Sequence, residues 1–284
     1  MARAGDHSRG RSGVSALEAI AVLRALLVIV LTLTAAGCAT TPPPVTTPPA
    51  PIDLALVTWN MHIGAGDLPH VVEELATGRL THAIPRDYML LLQEATNSGP
   101  HDPGAIARDR HLSFVFQPLR LRHGVMVGNA IISTLPLSNV RLFELPRERM
   151  RRGAIIASIV VAGQELLVTN VHLENRVSLR RGLLFSDGPR GRQARALMAT
   201  LPNGYGIAGG DLNTWLGPEE PALKAFMERF PDTPTSRLQP TVRDRLVLDH
   251  LFFDLPDGWR FDRWSLRDYY GSDHRPVVGV VSAR

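Results

Sequence analysis

Short runs of aliphatic residues, each bounded by turn-forming residues, recur along the chain from residue 54 onward. They lie at 54–59, 88–92, 114–116, 130–133, 154–161, 166–171, 206–208, 246–253 and 277–281. Runs of this length and composition predict β-strands. Ala162, Gly163 and Gln164 separate the fifth run from the sixth. We therefore expect these two strands to form a hairpin that buries much of both faces.

Apolar residues recur at helical spacing in three further segments, 68–75, 192–201 and 218–230. Prolines and acidic residues open the third segment, as is common in the first turn of a helix. Many strands with a few interspersed helices predict an α+β or layered α/β architecture. No internal repeat and no later linker interrupts residues 53–284, which we expect to fold as one domain.

The first 37 residues have the pattern of an export signal. A mostly apolar run of twelve residues at 25–36 is shorter than the roughly 20 residues needed to cross a bilayer. It follows a basic stretch that contains Arg3, Arg9, Arg11 and Arg24. This order of a basic and then an apolar region predicts that residues 1–37 direct the protein out of the cytoplasm.

The end of that signal resembles the lipobox of bacterial lipoproteins. Its sequence is LTAAGC at 33–38, and it contains the single cysteine of the chain, Cys38. The resemblance implies acylation of Cys38 and attachment to a membrane of the bacterial cell envelope, on the periplasmic or the cell-surface side. An ordinary secretory signal or an uncleaved anchor, with Cys38 incidental, is the alternative.

A proline-rich and threonine-rich linker follows at 38–52. It contains the segment TTPPPVTTPPAP, in which half of the residues are proline. Proline removes backbone donors and fixes the backbone torsion, so this segment should be an extended, semi-rigid spacer. Such a tether would hold a folded domain away from a membrane surface.

Composition narrows the possible functions. With 284 residues, 44% of them hydrophobic and 20% charged, the chain can bury a large core, which excludes a wholly disordered or fibrous protein. One cysteine excludes an intramolecular disulfide framework and a cysteine-rich zinc site. The net charge is +4, and removing residues 1–37, which carry +2, leaves +2. A mildly basic domain permits phosphate-bearing partners without requiring them.

Polar residues of one kind follow the predicted strands. Four carboxylates, three amides and two histidines occupy these positions: Asn60, Glu94, Asn170, His172, Asp211, Asn213, Asp249, Asp273 and His274. A strand end lets a loop aim a side chain into a cleft while the strand fixes its position. No serine or cysteine nucleophile is among them, and this set is typical of phosphate-ester hydrolysis assisted by a hard divalent cation.

The residue types suggest distinct roles. Glu94 is the strongest candidate ligand for Mg²⁺, with Asn60 supplying an amide oxygen or orienting the site. His274, polarised by Asp249, could deprotonate the attacking water. Asn213 and His172 could stabilise the negative charge that gathers on the phosphoryl oxygens.

Seven short motifs, spread over residues 59–276, occur in the order expected of a known protein family. They are TWN, LLQE, GNAIIS, NVHLEN, GGDLN, LDHLFF and SDHRP. The chain resembles the endonuclease/exonuclease/phosphatase superfamily, which has the pancreatic deoxyribonuclease-like fold. The resemblance implies a four-layer α/β sandwich, in which two mixed β-sheets pack face to face and helices flank them.

The resemblance also implies roles for individual residues and a dependence on Mg²⁺, with Mn²⁺ as a possible substitute. Asn60 and Glu94 would hold the metal, and Asp273 would be a ligand or a neighbour of one. His172 and Asn213 would contact the scissile phosphate, Asp211 the nucleophile or leaving group, and Asp249 would orient His274. Either His274 or Asp211 could take the proton of the water. His172 is shared with sphingomyelinases, inositol polyphosphate phosphatases and secreted nucleases.

Further residues are candidates for contacts in or near the site. Asn170 and Arg192 are candidate contacts to substrate phosphate, although the arginines between 176 and 195 could equally be a solvated loop. His62, two residues after Asn60, is the additional histidine most favoured for the site. His250 should point to the face opposite Asp249, as neighbours on a strand do. Trp215 and the Tyr269-Tyr270 pair could contact substrate or simply pack.

The sequence therefore predicts an exported, membrane-tethered, Mg²⁺-dependent phosphohydrolase that cleaves phosphodiesters rather than monoesters. Nucleic acid and a phospholipid headgroup are the candidate substrates, and a phosphomonoesterase for inositol phosphates is an alternative activity. The rival class is a surface lipoprotein that binds without turnover. We expect a monomer.

Overall fold

The computed structural model describes residues 51–175, 187–232 and 237–283. Cys38, the predicted export signal and nearly all of the predicted linker lie outside these residues, as do Arg176, Arg180 and Arg181. No helix within the described ranges is both long enough and apolar enough to span a membrane.

Eleven strands and four helices form the described part of the chain. The strands are β1 (Leu54–Asn60), β2 (Asp87–Thr96), β3 (Ser113–Arg122), β4 (Val125–Ser133), β5 (Ser138–Glu144), β6 (Gly153–Val161), β7 (Gln164–His172), β8 (Gly206–Asp211), β9 (Asp249–Asp254), β10 (Arg260–Ser265) and β11 (Val277–Ser282). The helices are α1 (Leu68–Ala76), α2 (Pro103–Asp109), α3 (Asp187–Met198) and α4 (Pro221–Arg229).

The strands form two mixed sheets, as predicted. The first has the order β10-β11-β1-β2-β4-β3, and the second has the order β5-β6-β7-β8-β9. Each sheet contains one parallel pair, β1 with β2 and β7 with β8, and its other neighbours are antiparallel. The expected hairpin is β6 and β7, paired from Gly153 opposite His172 to Val161 opposite Gln164.

Alternating residues of the central strands divide the apolar side chains among three cores. Leu54 and Leu56 of β1 face the second sheet and pack in one cluster with Ile207 and Leu251. The intervening residues of β1 face the opposite way, toward a second cluster with α1 and α2. A third cluster lies between the second sheet and helices α3 and α4. The protein is therefore a four-layer sandwich, which confirms the predicted fold class.

Gly209 of β8 lies at a close contact between the two sheets. A Cβ atom at this position would lie 2.7 Å from Leu91 Cδ1 and 2.8 Å from Leu251 Cδ2. The glycine therefore lets β8 approach the first sheet closely, two residues before Asp211.

The apolar pattern does not predict β5, β10 or α2. Strands β5 and β10 are the outermost strands of their sheets, and β5 is exposed along nearly its whole length. Helix α2 has only seven residues and is fixed by its first turn, where Asp102 accepts a hydrogen bond from the Gly104 N–H. These elements bury too little apolar surface to give a periodic signal.

Helix α3 begins at Asp187, five residues before the predicted start at 192. Its first turns are rich in glycine and arginine, and Arg190 there is completely buried in an ion pair with Glu220. Because Arg190 is buried where an amphipathic helix usually has an apolar residue, the apolar spacing did not reveal the first turn of α3.

Candidate active site

The predicted site residues converge on one cleft where the two sheets meet. The cleft has a volume of about 870 Å³. Its lining includes seven residues of the predicted site: Asn60, Glu94, His172, Asp211, Asn213, Asp273 and His274. Asp249 lies behind His274 and contacts it directly.

Strand pairing explains how distant residues meet on the second sheet. His172 at the end of β7 is in register with Asp211 at the end of β8, and Asp211 is in register with Asp249 at the start of β9. The first sheet supplies Asn60 at the end of β1 and Glu94 in β2, while His274 lies just before β11. Both parallel pairs end at this edge, so the cleft lies where carboxyl ends of strands meet.

His274 and Asp249 form a buried pair. The Nδ1 atom of His274 lies 2.8 Å from Asp249 Oδ2, and His274 Nε2 lies 3.9 Å from Asp211 Oδ2. Burial alone would lower the pKa of His274, but the carboxylates of Asp249 and Asp211 outweigh it and raise that pKa to about 10. Without a cation, the site therefore favours the imidazolium.

Backbone contacts fix the loop that carries His274. Trp59 Nε1 donates to the carbonyl of His274 at 2.9 Å. The His274 N–H donates to Ser272 Oγ, which in turn donates to the carbonyl of Asn60. The loop before β11 is thus tied to the end of β1.

Asp211 is at the centre of the polar network. Its Oδ2 accepts a hydrogen bond from Asn60 Nδ2 at 3.0 Å and lies 3.4 Å from His172 Nε2. Its Oδ1 accepts from the Asn213 N–H at 2.9 Å. Burial raises the pKa of Asp211, and the charge of His274 opposes that rise.

Strained backbone surrounds the cleft. Glu94 has a φ of 51° and lies at a β-bulge in the pairing of β2 with β4. Asn213 has a φ of 52°, and His62, Ile63 and Arg243 also have positive φ. All five residues line the cleft. Left-handed conformations of non-glycine residues cost about 1 kcal/mol or more and cluster at functional sites.

Glu94 and Asn60 offer oxygen atoms to the cleft. Glu94 Oε1 lies 3.0 Å from Arg120 Nη2, and Asn60 Oδ1 accepts a hydrogen bond from the His62 N–H at 3.0 Å. The second carboxylate oxygen of Glu94 and the second lone pair of the Asn60 carbonyl oxygen can each serve another partner.

The oxygen atoms of Glu94 and Asn60 fit a hard divalent cation. A second group of possible ligand atoms, on Asp211, Asp249 and His274, lies within 4.8 Å of one another, but there the His274 ring pairs with Asp249. Asp249 Oδ1 is buried and has no hydrogen-bond partner among the described residues. Carboxylate and amide oxygens are the ligands that Mg²⁺ prefers.

His172 is almost completely buried in the cleft wall beside Arg152. Arg152 Nη1 lies 2.8 Å from Nδ1 and 2.7 Å from Nε2 of the His172 ring. Burial, together with the charges of Arg152 and His274, lowers the pKa of His172 well below 6.5. The imidazole is therefore neutral at neutral pH.

Asp273 and His62 are in direct contact in the lining of the cleft. Their Oδ1 and Nδ1 atoms are 2.9 Å apart, and each side chain is about half exposed. The placement of His62 among the site residues agrees with its selection from the sequence. Asp273 Oδ1 also lies 4.0 Å from His274 Nε2.

Two predicted phosphate contacts lie away from the cleft. Asn170 is fully buried between the sheets, where its Nδ2 donates to the carbonyls of Leu92 and Ala130. Its Oδ1 accepts from Gln93 Nε2, so its amide bridges the two sheets. Arg192 is on the surface of α3, and its guanidinium forms two hydrogen bonds with Glu148. These contacts correct the predicted role of both residues.

His250 and Tyr270 have packing contacts. His250 points away from the cleft, as predicted, and stacks on Phe252. Tyr270 packs edge-on against Trp59, and its hydroxyl donates to Glu74. Trp215 lines the cleft.

Further residues line the cleft: Arg122, Arg149, Met150, Asn175 and Arg243. The sequence offered Arg149 and Met150 only within the basic cluster RERMRR at 147–152, which could equally be a solvated loop. Three of the five residues are held by Glu174, whose Oε2 accepts from the N–H groups of Arg149 and Met150. Its Oε1 accepts from the Asn175 N–H. Glu174 and Asn175 belong to the motif NVHLEN, so the motif itself contained this signal.

Solved structures of other proteins have a fold similar to that of this chain. No protein-family model and no curated protein matches the chain. The human Nocturnin catalytic domain with bound sulfate is similar in structure, with 19% identity over 82% of this chain and 93% of that one and a TM-score of 0.60. An endonuclease/exonuclease/phosphatase family protein from Leptotrichia buccalis is also similar in structure. It has 14% identity over 81% of this chain and 100% of that one, with a TM-score of 0.57.

A variant of beta toxin from Staphylococcus aureus with bound magnesium ions is also similar. It has 16% identity over 81% of this chain and 99% of that one, with a TM-score of 0.53. The chain therefore has the fold of endonuclease/exonuclease/phosphatase proteins, as its seven motifs predict.

Proposed function

We propose that this protein is a divalent-metal-dependent hydrolase of phosphodiesters, with Mg²⁺ as the cation and Mn²⁺ as a substitute. The observation that carries the proposal is the His274–Asp249 pair, which lies beside Asp211 and shares its cleft with Glu94 and Asn60. A protein that only binds its ligand would not need a polarised imidazole beside buried carboxylates.

The side chains divide the work of hydrolysis. A water oxygen attacks phosphorus in line with the leaving oxygen. Its proton passes to Asp211 or, when the His274 ring is unprotonated, to His274 Nε2, which lies 3.9 Å from Asp211 Oδ2. Asp249 holds the His274 ring by its Nδ1 atom. His172 and Asn213 donate hydrogen bonds to the non-bridging oxygens as their negative charge grows. Glu94 and Asn60 would hold Mg²⁺, which neutralises phosphate charge and lowers the pKa of water.

Basic residues at the rim favour a substrate with more than one phosphate. Arg122, Arg149 and Arg243 come from three separate segments and all line the cleft. Arg122 and Arg243 form no ion pair with any carboxylate in the described part of the chain. These arginines could form charge-assisted hydrogen bonds with the phosphates on either side of the phosphate that is cleaved. We therefore propose a polynucleotide as the substrate.

A phospholipid headgroup is the second candidate substrate. Leu121 precedes Arg122 at the end of β3, and its side chain is 69% exposed. An exposed leucine on the strand that carries the cleft residue Arg122 would suit contact with a lipid surface.

Hydrolysis assays on a panel of substrates test the activity. The panel contains bis(p-nitrophenyl) phosphate, p-nitrophenyl phosphate, single-stranded DNA, RNA, sphingomyelin vesicles and inositol polyphosphates, each with Mg²⁺, Mn²⁺ or EDTA. We expect diester hydrolysis with either cation, and a fall in kcat of about 10²-fold or more for His274→Ala and Glu94→Gln. The exposed residues His123 and Glu228 provide matched controls, His123→Ala and Glu228→Gln.

The same panel separates the alternatives. Intact substrates under every condition would favour the binding lipoprotein, and preference for p-nitrophenyl phosphate would favour a monoesterase. For a polynucleotide, Arg122→Gln and Arg243→Gln should lower kcat/KM on DNA or RNA and weaken its dependence on salt, while bis(p-nitrophenyl) phosphate hydrolysis is unchanged. If only the sphingomyelin vesicles are cleaved, and Leu121→Ser abolishes that cleavage, the substrate is a lipid.

We further propose that the protein is exported to the bacterial cell envelope and tethered there through an acylated Cys38. The lipobox-like segment and the proline-rich spacer support this proposal. Cys38→Ala should release the protein into soluble fractions. Unchanged association with the membrane would show that acylation of this cysteine is not the anchor.

A further inference from the structure

A short hairpin that carries Arg243 forms part of the cleft wall. Val242 is bridged to Leu246 within the hairpin and also to His274. The chain reverses direction after Val242, whose carbonyl accepts a hydrogen bond from the Arg245 N–H at 3.1 Å. Val242 and Arg243 both line the cleft, and Arg243 is exposed. The hairpin therefore brings an arginine to the cleft beside the loop of His274.

The two residues at the tip of this hairpin have left-handed backbone conformations. The φ angle is 49° at Arg243 and 53° at Asp244. Positive φ at both central residues is the geometry of a type I′ turn, in which asparagine, aspartate and glycine are the usual residues. An arginine is unfavourable in this conformation, which persists only where neighbouring contacts hold it.

Arg275, directly after His274, supplies such contacts. Its Nη2 atom lies 2.5 Å from Asp244 Oδ1 at the tip of the hairpin. Its Nη1 donates to the carbonyl of Pro240 at 3.2 Å, and its backbone N–H donates to the carbonyl of Thr241 at 2.8 Å. Arg275 thus holds both the base and the tip of the hairpin.

The Arg275 side chain is itself fixed in place. It is only 19% exposed, and its guanidinium carbon lies 4.7 Å from the centre of the Tyr269 ring. The Tyr269 hydroxyl lies 3.4 Å from Asp244 Oδ1. A guanidinium that is already ordered loses little side-chain entropy when it pairs. The ion pair can therefore stabilise the turn more than an ordinary surface pair does, although Asp244 is 71% exposed.

We infer that Asp244 and Arg275 are positioning residues, whose ion pair holds Arg243 at the cleft for contact with a phosphate next to the one that is cleaved. This inference rests on the proposed polynucleotide substrate. A small diester without a neighbouring phosphate cannot use the contact. The ion pair therefore determines selectivity for polynucleotides rather than the rate of the hydrolytic step.

Replacement of Asp244 separates positioning from a simple effect of charge. If Asp244 acted only through its charge, Asp244→Ala would remove a repulsion toward a polyanion and strengthen its binding. If Asp244 positions Arg243, the same change weakens binding, because the turn relaxes and the phosphate contact is lost. The two explanations predict opposite signs.

Steady-state kinetics of the full chain with Mg²⁺ on single-stranded DNA and RNA tests the sign. We expect Asp244→Ala to lower kcat/KM about tenfold, mainly through KM, as Arg243→Gln does. In an Arg243→Gln background, Asp244→Ala should cause no further loss, because both changes remove one contact. Asp244→Asn should stay close to the wild type, since asparagine suits the left-handed turn and can still accept from Arg275.

Matched controls isolate the contact. Asp257→Ala makes the same change at an exposed aspartate elsewhere, and Arg245→Gln removes one charge from an exposed arginine of the same hairpin. Neither should reproduce the rise in KM. With bis(p-nitrophenyl) phosphate, Asp244→Ala should change kcat/KM less than about twofold, which shows that His274 is undisturbed.

Amide hydrogen exchange followed by NMR is a readout that needs no substrate. The N–H groups of Arg245 and Leu246 both donate to the Val242 carbonyl at 3.1 Å. In Asp244→Ala these two amides should exchange about tenfold faster than in the wild type, because the turn opens more often. Asp257→Ala should leave their exchange rates unchanged.

An Asp244→Ala variant with unchanged or higher kcat/KM on the polynucleotide would overturn the inference, and so would unchanged exchange of the two amides. If the wild type cleaves neither DNA nor RNA, the proposed substrate fails. The exchange rates then still decide whether the Asp244–Arg275 pair holds the turn.

Discussion

At the scale of single residues, the charge of Asp249 controls the state of His274. Burial lowers the pKa of His274, and Asp249 is the carboxylate that contributes most to raising it. The same contact at 2.8 Å fixes the orientation of the ring. A change at Asp249 therefore affects both the proton affinity and the position of the imidazole.

We predict that Asp249→Asn lowers the pKa of His274 and lowers kcat about 10²-fold or more. An NMR titration of the histidines without cation measures the first effect, and diester hydrolysis measures the second. Asp257→Asn, at an exposed aspartate, is the control and should change neither quantity. An unchanged His274 pKa in Asp249→Asn would contradict this account of the pair.

A second residue-scale prediction concerns His250 and the dependence of stability on pH. Burial and then the charge of Arg263 lower the pKa of His250 from 6.5 to about 4. Between these values the unfolded chain binds a proton that the folded protein does not bind. The free energy of unfolding should therefore fall as the pH falls from 6.5 to 4, by at most about 1.4 kcal/mol per pH unit from this residue.

Urea unfolding between pH 4 and pH 7 measures this contribution. His250→Asn should reduce the slope of stability against pH, since the titrating group is gone. His123→Asn, an identical change at an exposed histidine, should leave the slope as it is. Equal slopes for wild type and His250→Asn would mean that His250 is protonated as readily in the folded protein as in the unfolded chain.

At the scale of elements, a buried ion pair joins α3 to the loop before α4. Arg190 Nη2 lies 2.6 Å from Glu220 Oε2, and both side chains are almost completely buried. Glu220 Oε1 also accepts a hydrogen bond from the N–H of Leu216, next to Trp215 in the cleft. The pair thus fixes a loop that forms part of the cleft wall.

We predict that Arg190→Met lowers the free energy of unfolding by about 3 kcal/mol or more, because it leaves the Glu220 carboxylate buried and unpaired. Arg192→Met breaks the exposed pair with Glu148 on the same helix and should cost about 1 kcal/mol or less. Urea unfolding of both variants measures the difference. Similar losses in the two variants would show that burial does not set the strength of these pairs.

At the scale of the whole molecule, all three apolar cores lie within one continuous part of the chain. Their buried members run from Ile52 to Val281. These clusters draw only on described residues from 52 onward. The stability of the sandwich should therefore come from this part of the chain alone.

We predict that a protein lacking residues 1–50 unfolds at the same temperature as the full chain, to within about 2 °C. Scanning calorimetry of both proteins in the same detergent-containing buffer checks this expectation. A fall of more than about 4 °C would correspond to roughly 1 kcal/mol or more and would mean that the first 50 residues stabilise the domain.

The sequence by itself predicted nine of the eleven strands and three of the four helices that the described residues form, and most of the polar residues that line the cleft. Strands such as β1 and β7 gave a clear signal because both of their faces are buried. His172 and Asp211 were correctly placed at strand ends. Asp249, at the start of β9, and His274, just before β11, reach the same edge because their strands run antiparallel to their neighbours β8 and β1. Asp211 and His274 needed no tertiary information to be selected as candidates.

Only the tertiary structure decided which residues face each other. Periodicity assigns a residue to a face of its strand but does not identify its partner on the other sheet, so Asn170 was taken for a phosphate contact when it bridges backbone carbonyls. The burial of Arg152 and Glu174 was not predicted for the same reason, because a buried charge is stable only beside partners that are distant in sequence. The chain determined the set of reactive groups, and the packing of the two sheets determined their geometry.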